Sequence, residues 1–154
     1  MFREMRRIDR ALPQEEIETL LNNGEYGFLS TVGNNGYPCI VPVSYVYFEN
    51  CIYFHCATEG QKLDNIRQND KVSFSVVGDT KILAEKFSTN YKSVVIYGRA
   101  KEVEDEYKSE LLMELIKKYS NEFYEKGMKY VENAKDKTML IKIDIDHITG
   151  KGRL

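Results

Sequence analysis

The chain has 154 residues, 30% of them charged and 12% aromatic, with a formal net charge of −2. That length suits one domain, residues 1–154, with a core of its own, and the near-neutral charge argues against a general nucleic-acid binder. No apolar run approaches the roughly 18 residues of a membrane span, the N-terminus lacks a secretion-signal core, and three cysteines make no disulfide framework. The expectation is a cytoplasmic protein that does not enter a membrane.

In chain order, Arg3, Arg6, Arg7 and Arg10 interleave with Glu4 and Asp9, which predicts a solvated, self-paired arm. A first helix opens at Pro13, carries Ile17, Leu20 and Leu21 as its apolar stripe, and stops at Asn23-Gly24. The runs "YGFLSTVG" and "CIVPVSYVYF" flank the turn "NNGYP", where Asn35-Gly36 is a hairpin signal. A second turn at Glu49-Asn50 leads into "CIYFHCA" and a short helix. Then come "KVSFSVVG", an irregular polar loop over 79–91, and "KSVVIYGRAKEVE". A helix over about 105–119 buries Leu111, Leu112, Leu115 and Ile116 and leaves its charges in water. "TMLIKIDIDHI" is the last strand, followed by the tail "TGKGRL". Consecutive hairpins without strand–helix alternation predict a mainly β fold with flanking helices, an antiparallel six-stranded sheet closed as a small barrel.

The stretch "FHCATEGQKLDNI" carries the chemistry. With a two-residue loop at Glu49-Asn50, Phe48 faces Cys51, which sets Ser44 opposite His55 and Val43 opposite Cys56. Val41, Val43 and Tyr45 then share a packing face with Phe54 and Cys56, and Pro42, Ser44 and Val46 share a more polar one with Tyr53 and His55. His55 and Cys56 point to opposite faces, and Cys51 is roughly 13 Å from His55, so a zinc site fails on geometry. Cys56 reads as a small buried hydrophobe, and His55 as either a structural hydrogen-bonding residue or a functional one. Thr58 to Gln61 form a T-x-x-Q capping box, with Gly60 and Lys62 beside it. Free N–H groups and a lysine there suit a phosphate, whereas Glu59 suits plain capping, and both readings stay open. His147, by alternation, lies half-buried on the face of Ile141, Ile143 and Ile145.

The blocks from "GFLSTVG" through "KVSFSVVG" and "YKSVVIYGRAKEVED", with the opening "MRRIDRAL" and the closing "HITGKGR", resemble the pyridoxamine 5'-phosphate oxidase-like flavin-binding proteins. Within them the likeness is nearest to the subgroup associated with 5-nitroimidazole resistance. The resemblance implies a six-stranded antiparallel split barrel that binds FMN, alternatively FAD, in the cleft of a homodimer. Carried over, Pro42, Val43, Ser44 and Tyr45 line the flavin ring and ribityl chain, largely through backbone groups. Phe54, His55, Cys56 and Ala57 continue that wall, Lys62 holds the phosphate, and Tyr91, Ser93 and Val94 contribute across the dimer. His55 is then the candidate catalytic residue, near a small-molecule substrate. Lys151, Arg153 or an arm arginine of a partner would supply charge near the reduced ring, unless the tail is simply solvated. The implied function is flavin-dependent reduction of small electrophilic or nitroaromatic compounds, with NAD(P)H as a transient electron donor. The alternatives are a non-catalytic flavin- or haem-binding carrier or stress protein, and pyridoxamine-phosphate oxidation.

Overall fold

In the computed structural model, which describes residues 1–153, a long antiparallel sheet wraps around one apolar core. Leu154, the last residue of the sequence's tail, lies outside the described residues. The strands are β1 (Gly27–Val32), β2 (Pro38–Val43), β3 (Val46–Phe48), β4 (Cys51–Ala57), β5 (Lys71–Val77), β6 (Lys81–Leu83), β7 (Ser88–Glu102) and β8 (Thr138–Arg153). Their spatial order is β2-β1-β5-β7-β8-β4-β3, with β6 paired to β7. The helices are α1 (Gln14–Asn23), α2 (Gln61–Gln68), α3 (Asp105–Ser120) and α4 (Tyr124–Ala134).

Local sequence explains most boundaries. Pro13 caps α1 and Gly24 ends it, with Ile17 and Leu21 buried. Gly36 takes φ 81° in the β1–β2 loop, and Glu49 and Asn50 take φ 49° and 60°, the double left-handed turn that matches strand twist. Phe48 does face Cys51. Leu29, Tyr45, Ile52, Phe54, Phe74, Val76, Val94, Ile96, Ile141 and Ile143 are all but inaccessible and fill the barrel. Each such side chain contributes about 1.5–3 kcal/mol of burial.

Several expectations need correction. Two strands were missed, because "CIVPVSYVYF" is two strands and the 79–91 loop contains β6 and the start of β7. The first run breaks at Ser44-Tyr45: β2 pairs only with β1, and β3 begins at Val46 against Tyr53. Ser44 therefore has no ladder partner, and the pairings Ser44–His55 and Val43–Cys56 do not form; His55 lies opposite Leu140 and Cys56 opposite Met139. The reason is the barrel itself, since one chain must leave one edge of the sheet to join the other.

His147 is also on the other face from the one alternation gives. Tyr97 pairs with His147 and Gly98 with Ile145, so Asp146 is an extra residue, a β-bulge that shifts the phase by one. Ile145 and Ile148 both pack on the core, and His147 turns outward, stacked on Phe2 with ring centroids 4.8 Å apart. The tail is strand rather than coil, with Ser93 opposite Lys151 and Tyr91 opposite Arg153. In the arm, Arg7 and Asp9 pair as expected, which holds the Asp9 carboxyl down to about 2. Lys108, expected in water, is buried and donates to Asp105 (2.9 Å) and the Lys135 carbonyl (3.2 Å).

Helices α3 and α4 cover only one side of the sheet. Leu112, Leu115 and Val131 pack there on Val46, Tyr53 and Leu140. The outer face of β2-β1-β5-β7-β8 has no helix over it among the described residues, although Phe2 of the arm stacks on Tyr97 and His147 at one end. One row across it runs Pro42, Phe28, Ser75, Val95, Thr149; the next runs Ile40, Ser30, Ser73, Tyr97, His147. Ile40 is 66% exposed and Tyr97 43%.

Candidate functional site

The break between β2 and β3 leaves an opening in the barrel wall. β2 has β1 on one side and no strand on the other. Beyond Tyr53, the residues Phe54 to Ala57 of β4 pair only with β8, because β3 has ended. The chain passes from one open edge to the other through Ser44 and Tyr45, so both edges flank one split. Open edges present unpaired N–H and C=O groups, a set of donors and acceptors fixed by the backbone.

The passage is held from α3. Tyr119 Oη accepts from the Tyr45 N–H (3.0 Å) and lies 2.6 Å from the Glu25 carbonyl, to which it donates. Lys118 Nζ donates to the Tyr45 carbonyl (2.9 Å) and sits 3.7 Å from the centre of the Tyr45 ring. Burial brings the Lys118 ammonium down to about 8. The Tyr45 hydroxyl in turn donates to the Leu21 carbonyl (2.6 Å). Neither Lys118 nor Tyr119 was singled out from sequence. The available signal was spacing, since both extend the Leu111, Leu112, Leu115, Ile116 stripe by one turn.

At the far end of the split, α2 begins differently from expectation. Its N-cap is Gly60 rather than Thr58, and no side chain caps it. Gly60 has φ 145° and ψ 168°, a conformation open essentially to glycine alone. A capping box needs Thr58 at the N-cap, and the chain places it two residues before that position. The first helical bond is Asp64 N–H to the Gly60 carbonyl (3.1 Å). Among the described residues, nothing accepts from the N–H groups of Gln61, Lys62 and Leu63. A Cβ on Gly60 would meet nothing within 4 Å, so the space in front of the helix is open.

Lys62 is half-buried there and makes no ion pair among the described residues. It lies close enough to Cys56 to pull on the thiol, although burial dominates and pushes that thiol up. Cys56 is thus a poor thiolate, packed against the core beside Phe54. His55 points away from both. Its ring is exposed by area, yet the sheet around it removes enough water to hold the imidazole below its ordinary 6.5.

The sequence-derived residues divide into groups. Pro42, Val43 and Ser44 line one edge of the split, and Phe54, Cys56 and Ala57 the other. Tyr45, Phe54 and Val94 are inaccessible as side chains and can offer a ligand only their backbone. His55 sits on the helix-covered face beyond Tyr53, at its open end. Within one chain Tyr91 and Ser93 lie far from the β4 edge of the split and are separated from its β2 edge by β5 and β1. Lys151, opposite Ser93, and Leu140, opposite His55, are roughly 35 Å apart along β8.

No helix among the described residues is long and apolar enough to cross a membrane. Comparison with curated protein sequences gives no match. Solved structures share the fold at low identity. A conserved hypothetical protein of Mycobacterium tuberculosis is 20% identical, with a TM-score of 0.84 over 97% of this chain and 90% of that one. A Bacteroides thetaiotaomicron protein, named for a conjectured role in 5-nitroimidazole antibiotic resistance, is 19% identical, with a TM-score of 0.75 over 92% and 86%. A FAD-binding protein of Mesorhizobium loti is 22% identical, with a TM-score of 0.68 over 94% and 98%. A sequence profile described as pyridoxamine 5'-phosphate oxidase matches residues 13–152. With its open-edged barrel and that match over most of its length, the chain belongs to the pyridoxamine 5'-phosphate oxidase family.

Proposed function

We propose that this protein binds a flavin nucleotide, FMN or FAD, in the split, and reduces small electrophilic or nitroaromatic compounds with it. The observation that carries the reading is the alignment of three features along one opening: two unpaired strand edges, the free N–H groups of α2, and Lys62. These fit the group chemically. An isoalloxazine needs backbone donors and acceptors along its polar rim, and a phosphate needs N–H groups and a cation. The Val41–Ser44 and Phe54–Ala57 backbones would hold the ring, and Lys62 with the Gln61–Leu63 amides would hold the phosphate.

A bound flavin supplies the electron transfer; the chain supplies position, water exclusion and protons. Burial holds the His55 imidazole below its ordinary value, which favours the neutral ring, with one N–H donor and one free nitrogen. That suits it to orient a nitro or carbonyl oxygen and to pass a proton to it.

The uncovered face supports a homodimer. Its rows of serine, proline and exposed apolar residues are suited to burial against a second copy. Pro42 and Ser93 lie on that same face, so a partner's Tyr91 and Ser93 could reach the split by this route. The Bacteroides protein, similar over most of both chains, supports a nitro compound as the substrate class.

Fluorescence titration of the apoprotein with FMN and FAD tests binding. Lys62→Ala should weaken retention by about tenfold or more, as loss of a charge-assisted bond does. Stopped-flow reduction by NADH or NADPH, then reoxidation by a nitroaromatic, tests turnover. Reoxidation no faster than with oxygen alone would make the protein a flavin carrier.

A further inference from the structure

We propose that a second site, a cavity of about 390 Å³ between the β3–β4 turn and the start of α3, binds a small organic ammonium ion with an aromatic or similar apolar body. Its floor is Tyr53, which is 4% exposed and makes no side-chain hydrogen bond among the described residues. Burial raises the Tyr53 hydroxyl, so it stays protonated and its oxygen remains free to accept. The Tyr53 ring is buried, while its hydroxyl, without a partner among the described residues, is reached from the open space of the cavity. Phe48, Val103, Tyr107 and Leu111 give the cavity apolar walls.

Charge selects the ligand's sign. The two lysines in the lining, Lys101 and Lys142, share the one carboxylate of Asp144, at 3.1 and 3.3 Å, which leaves a single surplus positive charge between them. Glu102 is taken up by Arg67 at 2.7 Å. Glu49, Glu104 and Glu110 also line the cavity and have no basic partner among the described residues. The nearest cation on α3, Lys108, is turned inward onto Asp105 and Lys135. The result is a pocket with aromatic residues in its walls, three carboxylates against one surplus lysine charge, and one free hydroxyl acceptor. An ammonium ion satisfies all three, through cation–π contact, charge and an N–H donated to the phenol. An anion meets the carboxylates, and a neutral body leaves them unneutralised. The site lies on the helix-covered face, on the β3–β4 turn side of His55, and stands whether or not a flavin binds in the split.

Titration of the full chain with 2-phenylethylammonium, followed by amide NMR, tests the proposal. Saturable shifts should centre on residues 48–53 and 101–111. The neutral 2-phenylethanol should bind at least about tenfold more weakly. Tyr53→Phe removes an unpartnered hydroxyl, so the thermal midpoint should hold or rise while the ammonium binds about tenfold more weakly. Glu110→Gln, on an exposed helix face, should weaken it also. Equal binding of the alcohol, shifts centred elsewhere, no saturation by about 10 mM, or unchanged affinity in both variants would overturn it.

Discussion

Tyr119→Phe isolates the hydroxyl that holds the passage between β2 and β3. The substitution removes one oxygen and retains the ring, so the packing of α3 is preserved. The Tyr45 N–H loses its acceptor at 3.0 Å, and no strand is there to replace it. The Tyr45 carbonyl keeps Lys118, and the exposed Glu25 carbonyl turns to water. The net loss is therefore one main-chain donor left beside a fully buried side chain. Such a donor costs about 1–3 kcal/mol, and partial access of water past Tyr119, itself 42% exposed, places this case at about 1–2 kcal/mol. With a urea slope of about 2 kcal/mol/M, the midpoint should fall by about 0.5–1 M with the slope unchanged. Flavin affinity should fall with it, because the passage sets the separation of the two edges. A midpoint within about 0.2 M of wild type would mean that Tyr119 does not carry the passage.

Three other outcomes follow from the same geometry. Gly98→Ala places a Cβ against the Asp144 carbonyl and the Ile143 side chain at the bulge, and should cost about 2 kcal/mol or more, read as a lower thermal midpoint. His55 has a folded-state pKa below its unfolded 6.5, so the unfolded chain binds more protons in the interval between them. Its contribution to stability is therefore present above about pH 6.5 and is lost as pH falls through the folded value. His55→Gln should reduce the drop in urea midpoint between about pH 7.5 and 5.5. In the loaded protein, His55→Ala should retain flavin and slow substrate reduction, and full turnover in that variant would remove His55 from the chemistry.

What the sequence revealed was largely local. Turn residues fixed the Asn35-Gly36 and Glu49-Asn50 hairpins, alternation placed Phe54 in the core and His55 outside it, and the order of blocks gave the family. What it hid depends on closure. Nothing in "CIVPVSYVYF" marks Ser44-Tyr45 as a sheet-to-sheet crossing, because the residues that satisfy its backbone are more than 70 positions away in α3. His147 was misplaced because period-two reasoning assumes an unbroken ladder, and the bulge at Asp146 adds one residue. Thr58 lost the cap to Gly60 because a glycine at φ 145° can turn into the helix more tightly than a threonine can. That loss leaves the α2 amides without a side-chain acceptor, which strengthens the anion reading over plain capping.

The most direct measurement is an amide NMR titration of the apoprotein with FMN. Saturable shifts should concentrate on Val41–Ser44, Phe54–Ala57 and Gln61–Leu63, with the last group lost in Lys62→Ala. Saturable binding that leaves those three segments unmoved, or no saturable binding at all, would contradict the flavin site.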